Sequence, residues 1–205
     1  REAQIDMMSV VSGKENSRRG ILFLENSYPV VKLPPEVKEI KVEPALILSI
    51  IRQESEFNQY ARSHAGAMGL MQLMYPTAKG VSRELKSRFT RSALYRDKYL
   101  NMRFGTHHLS TLLEYYNGSY ILSICAYNAG QGNVDKWIKR FGEPRKLNTV
   151  DQVITWVEKI PFYETRGYVQ HVLSNLQMYR NILRTKEKVS LLQINLAKDL
   201  LKKKR

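Results

Sequence analysis

Cysteine is nearly absent: Cys125 is the only one in 205 residues. A single thiol excludes an intramolecular disulfide and any metal site built from several cysteines. Its place in an apolar run suits a buried small side chain rather than an activated thiolate. Glycine (11) and proline (7) are too sparse for a low-complexity or collagen-like chain. No stretch reaches the roughly 18 apolar residues of a membrane span. Residues 1–20 lack the basic start, apolar block and small-residue cleavage site of a secretory leader. The chain opens on Arg1 rather than methionine and so reads as processed or truncated, which leaves its compartment to be argued from function. The histidines (His64, His107, His108 and His171) show no paired spacing with carboxylates or the cysteine. Neither a metal nor another cofactor is expected.

Acidic residues are also scarce, at 19 against 33 lysines and arginines, for a net charge of +14. Such an excess favours an anionic partner at long range. Part of it is terminal: Lys186, Lys188, Lys198, Lys202, Lys203, Lys204 and Arg205 face only Glu187 and Asp199. The same tail places Val189, Leu192, Leu196 and Leu200 on one helical face, as a terminal helix packed on the domain or as an adhesive element. The linear sequence shows no basic stripe interleaved with aromatics, no zinc-finger spacing and no RNA-recognition signature, so no specific nucleic-acid partner is expected.

What is abundant is helical periodicity, with apolar residues recurring every three or four positions and little alternation of period two. One or two short helices are expected within residues 1–28. Pro29, Pro34 and Pro35 mark an extended linker and the likeliest domain seam. A helix opens at Pro44 and runs over 44–57. Gly66, Gly69 and the short run 70–74 predict a turn and a small β hairpin, and Pro76 then opens another helix. Further helices are expected over 97–115, 119–128, 133–141, 150–158 and 165–184. This divides the chain into a lead-in (1–40), a main domain (41–184) and a basic tail (185–205).

One carboxylate stands out. At 100° per residue on the 44–57 helix, Glu54 lies within about 60° of Ile47, Ile50, Ile51 and Phe57, while Arg52 and Glu56 fall on the far side. A carboxyl among isoleucines loses solvation, which disfavours the anion and makes a general acid. Such an acid is worth roughly 10²–10⁴-fold in rate where a poor leaving oxygen must be protonated. The same placement also suits a buried glutamate paired with an arginine.

The blocks around it carry a resemblance. Arg52-Gln53-Glu54-Ser55, then Gly66-Ala67-Met68-Gly69-Leu70-Met71-Gln72-Leu73-Met74, is similar to the signature of the soluble lytic transglycosylase family. Ala126-Tyr127-Asn128-Ala129-Gly130 with Gly132 and Val134 resembles the family's second motif. Ile160-Pro161-Phe162 with Glu164-Thr165-Arg166-Gly167-Tyr168-Val169 resembles its third. Asn101, Gly105 and Leu109 fall at family-like intervals. The match covers about residues 41 to 184 in four ordered blocks.

The resemblance implies a mainly α, α+β lysozyme-like domain, two helical lobes with a small β hairpin and a central substrate groove. It implies a peptidoglycan lytic transglycosylase acting in the periplasm or cell envelope, with Glu54 as acid and then base. It implies substrate contacts at Ser63, Gln72, Met74, Tyr127 and Glu164, the last towards the muramoyl peptide or lower groove, with Met71, Leu73 and Met74 as apolar wall or plain core, and an upstream helical domain joined through residues 1–40. Each contact has a plainer alternative: a turn serine at Ser63, and pairing of Glu164 with Arg166 or a lysine. Tyr75 stands where the family often has proline, and Gln131 replaces another, so the starts of two helices are in question. A hydrolytic muramidase, a non-catalytic glycan-binding scaffold and, from charge alone, a non-specific nucleic-acid binder are the competing readings.

Overall fold

The computed structural model describes residues 2–19 and 27–187. The expected basic amphipathic tail lies, from residue 188 onward, outside the described residues. The chain divides into two compact units, Arg1–His108 and Leu109–Arg205. No helix among the described residues is long and apolar enough to cross a membrane.

In the first unit the helix Pro44–Ser55 is the central element. Pro44 occupies its first turn, where a missing N–H costs nothing. Every residue from Ala45 to Ile51 is buried, so the first two turns are covered on all sides. The lead-in meets the other end of this helix. The helix Glu2–Arg18 pairs Lys14 with Glu56. Arg52 donates from Nε to the Ser27 carbonyl at 2.9 Å and lies 4.2 Å from the Tyr28 ring centroid. Gly13 is required there, because a Cβ on it would fall 2.2 Å from Ser27 Oγ. Val37, on the short helix Pro35–Glu39, is buried as well. Residues 29–34 carry no regular secondary structure; Pro34 is extended (φ −62, ψ 151), while Pro35, expected to extend the chain, opens the short helix instead.

The expected β hairpin is not formed, and among the described residues there is no strand. Two isolated antiparallel bridges, Arg62 with Met68 and Met68 with Leu73, stand in its place. Met68 and Leu73 exchange both backbone hydrogen bonds at 3.0 Å. Left-handed backbone at Gly69 (φ 79) and Gln72 (φ 46) turns the chain within the intervening four residues, so the ladder is one pair long. The helices Tyr75–Glu84, Ala93–Arg96 and Lys98–Tyr115 follow. The first starts with Tyr75 and Pro76 in its opening turn, so the displaced proline still serves helix initiation.

The second unit is built on Tyr120–Ala129, Gln131–Phe141, Val150–Glu158 and Tyr163–Glu187, close to the expected spans. Tyr120 through Ala126 are all buried. Ser119 caps that helix on Leu122 N–H, and Thr149 forms a reciprocal capping box with Gln152. Cys125 sits in this core, where burial pushes its thiol well above the ordinary range and keeps it protonated.

Candidate active site

The Pro44–Ser55 helix stops one residue after Glu54, two residues earlier than periodicity predicts. Glu56 (φ 50) and Phe57 (φ 65) both take left-handed backbone, and the Glu56 N–H closes on the Arg52 carbonyl at 3.2 Å. Consecutive left-handed residues other than glycine cost on the order of 1–3 kcal/mol each and persist only where surrounding structure holds them. Phe57, buried to 1% exposure, is the anchor, although it lies off the helix rather than on the face expected for it. Glu54 is half-buried, as Arg52 and Gln53 are. Burial therefore does not single Glu54 out from its neighbours as the one-face reading expected, because the lead-in also covers the opposite side.

Ser55 fixes the end of this helix to the next motif. Its hydroxyl is shared between the Leu70 carbonyl at 2.8 Å and the Ile51 carbonyl at 3.2 Å. The Gly69–Gln72 turn is in turn held by Asn101, which is 1% exposed. Asn101 Oδ1 accepts from Met71 N–H at 2.8 Å, and Nδ2 donates to the carbonyls of Met68 at 2.9 Å and Leu94 at 2.7 Å. Two glycines make the approach possible. A Cβ on Gly69 would meet Leu94 O at 2.1 Å and Asn101 Nδ2 at 2.3 Å; one on Gly105 would meet Met71 Sδ at 2.4 Å. The Gly66–Met74 block together with Asn101 and Gly105 is thus one packed device that places a turn beside the end of the Glu54 helix.

The other first-unit candidates are distributed around this device. Ser63 is exposed, and its backbone and Oγ organise the 63–67 turn: Ala67 N–H donates to Oγ at 3.0 Å, and Ser63 N–H donates to the Ala67 carbonyl at 3.0 Å. Both amide hydrogens of Gln72 are used on backbone, at 3.1 Å to the Ala61 carbonyl and 2.8 Å to the Gly69 carbonyl, so its remaining polar atom is the acceptor Oε1. Met71 and Leu73 belong to the core, whereas Met74 is 40% exposed at the start of the following helix.

In the second unit, Tyr127 is half-buried near the end of Tyr120–Ala129, which Gly130 (φ 83) terminates. The second and third motifs are tied directly, because buried Thr165 donates its hydroxyl to Asn128 Oδ1 at 2.7 Å. Arg166 donates to the Ile160 carbonyl at 2.5 Å, and Trp137 meets Phe162 edge to face at 5.3 Å. Glu164 is exposed in the first turn of Tyr163–Glu187, where its charge suits the helix N-terminus. No ion pair holds it among the described residues, and Arg166, the expected partner, is engaged with backbone. Sequence reasoning missed Ser55 and Thr165. Both sit inside motif blocks, but small hydroxyls carry no periodic signal.

Comparison with known proteins agrees with this arrangement. The family described as Transglycosylase SLT domain matches residues 36–150, and the soluble lytic transglycosylase helical domain matches residues 159–188. A putative soluble lytic murein transglycosylase of Haemophilus influenzae is 36% identical over 151 residues, covering 74% of this chain and 24% of the relative. The soluble lytic murein transglycosylase of Escherichia coli K12 is 34% identical over 141 residues, covering 68% and 21%. Among solved structures, an inactive mutant of lytic transglycosylase Slt from Pseudomonas aeruginosa superposes with a TM-score of 0.72 at 35% identity, covering 85% of this chain and 28% of that one. The 70 kDa soluble lytic transglycosylase of Escherichia coli gives 0.73 at 28% identity, covering 86% and 28%. The chain therefore spans about a quarter of the length of these relatives.

Proposed function

Because the chain belongs to the Transglycosylase SLT domain family, we propose that it is a peptidoglycan lytic transglycosylase, cutting the β-1,4 bond between N-acetylmuramic acid and N-acetylglucosamine without water. Glu54 protonates the bridging oxygen as the C1–O bond breaks. The resulting carboxylate then takes the proton of the muramoyl C6 hydroxyl, whose oxygen bonds to C1 and closes a 1,6-anhydro ring. The acid is restored, and no water is consumed. Hydrolytic glycosidases generally need two carboxyls; an attacking group already within the sugar has a high effective concentration and needs one.

The observation that carries this reading is the built end of the Glu54 helix. The carboxyl occupies its last turn, half-buried, with two left-handed residues behind it and Ser55 bonded to the motif turn. A carboxyl placed there is the proposed donor of the proton to the bridging oxygen and its later acceptor from the C6 hydroxyl. In the first unit Ser63 would donate its hydroxyl to the glycan, Gln72 would accept through Oε1, and Met74 would offer apolar contact. In the second unit Tyr127 and Glu164 are the proposed contacts. Residues 41–184 form the catalytic portion of this account, with 1–40 the lead-in from an upstream helical domain and 185–205 a basic tail. The site of action is the periplasm or cell envelope.

Digestion of purified sacculi followed by mass spectrometry tests the reaction. Anhydromuropeptides are expected; products heavier by one water would identify a hydrolase instead.

A further inference from the structure

Between residues 62 and 103, nine lysines and arginines stand against two acids, Glu84 and Asp97. Both acids are engaged. Glu84 Oε2 lies 2.8 Å from His107 Nε2, and Asp97 Oδ1 accepts from the N–H groups of Tyr99 and Leu100 at 3.0 Å. The positive charge of this stretch therefore has little internal compensation.

Two of its arginines border the segment carrying the first-unit contacts. Arg62 precedes Ser63, and its guanidinium carbon lies 3.7 Å from the Tyr95 ring centroid. Arg91 lies 5.6 Å from the centroid of Tyr75, the residue after Met74, and its Nη2 is 3.9 Å from where a Cβ on Gly66 would stand. Both arginines are exposed, and neither forms an ion pair among the described residues. A guanidinium resting on an aromatic face is held in orientation while its N–H fork stays available in the plane, the geometry that grips a carboxylate at two points.

A murein glycan offers few anions. Its N-acetylated sugars are neutral and the lactyl group is tied up in an amide, so the fixed negative charges are the carboxylates of the attached peptides. We infer that Arg62 and Arg91 form a carboxylate-reading rim beside Ser63 and Met74, which engages the acidic peptide chains of the substrate. This rests on the proposed transglycosylase reading and adds to it the feature by which the enzyme distinguishes peptide-bearing from charge-free glycan.

The test compares native sacculi with sacculi whose carboxylates are capped as neutral amides by carbodiimide coupling, using co-sedimentation at low salt. The wild-type chain is expected to bind native murein about fivefold more tightly. The Arg62→Gln/Arg91→Gln pair should lose most of that preference, keeping only the part that the remaining net positive charge supplies. The Arg62→Lys/Arg91→Lys pair, which keeps the charge and loses the planar fork, should retain about a twofold preference and serves in place of the glutamine pair if that does not fold. An undiminished preference in these variants, or none in the wild type, overturns the inference. So does an equal loss of binding to duplex DNA, which would make the rim a general polyanion surface. Turnover of native murein is scored separately: its absence in the wild type, with the sedimentation difference intact, would count against the transglycosylase reading and not against the rim.

Discussion

The two units hold their motif residues by different means. In the first, the segment from Glu54 to Met74 is mostly irregular backbone, with Glu56, Phe57, Gly69 and Gln72 at positive φ, and it is fixed by buried polar groups on neighbouring elements. Asn101 supplies three hydrogen bonds, and Ser55 supplies another to Leu70. In the second, the motif residues lie on or beside regular helices whose own ladders satisfy the backbone, and a tie from Thr165 to Asn128 links the two blocks. Irregular backbone has no internal hydrogen-bond supply, so each polar group must find a partner elsewhere. The same family resemblance therefore reports backbone placement in one unit and side-chain presentation in the other.

This contrast predicts an order of sensitivities. Gly69→Ala should be the most damaging, since a Cβ there combines left-handed strain with a clash against the Leu94 carbonyl; about 4 kcal/mol of stability should be lost, read as a large fall in Tm. Asn101→Leu should cost about 3 kcal/mol, because it takes the Asn101 bond from the Met71 N–H and the Leu94 carbonyl and leaves the Met68 carbonyl only its bond from Leu73. In the second unit, Thr165→Val keeps the shape and removes one hydrogen bond, for about 1 kcal/mol by denaturant unfolding. If Thr165→Val proves as costly as Asn101→Leu, the contrast fails.

The smallest effect is electrostatic. Arg145, hydrogen-bonded to Glu143 at 2.7 and 2.5 Å, holds that carboxyl below the usual range. Its contribution is present above the ordinary glutamate pKa and disappears as pH falls through the lowered one. Wild type and Glu143→Gln should differ by about 0.5 kcal/mol near neutral pH and converge in acid; comparison of Tm across that range checks the sign.

The helices of both units were legible in the sequence, because capping residues and apolar spacing are local signals. Tyr120–Ala129 and Val150–Glu158 fall where Ser119 and Thr149 place their starts. The hairpin was misread, because a short run after Gly66 and Gly69 suggests a turn and strand, but pairing depends on dihedrals at Gly69 and Gln72 that composition does not report. The end of the Glu54 helix was missed for a similar reason: Glu56 and Phe57 are ordinary helix residues forced left-handed by tertiary packing. The Arg62–Tyr95 and Arg91–Tyr75 pairs were invisible as a basic and aromatic stripe, since their members are far apart along the chain and meet only on folding.

The central claim is that one carboxyl, at the built end of its helix, performs both proton transfers. Murein turnover by Glu54→Gln, measured beside wild type with Tm recorded for each, tests it most directly. The account predicts a loss of at least about 10²-fold with the fold retained. Turnover within twofold of wild type from a folded Glu54→Gln protein would contradict it.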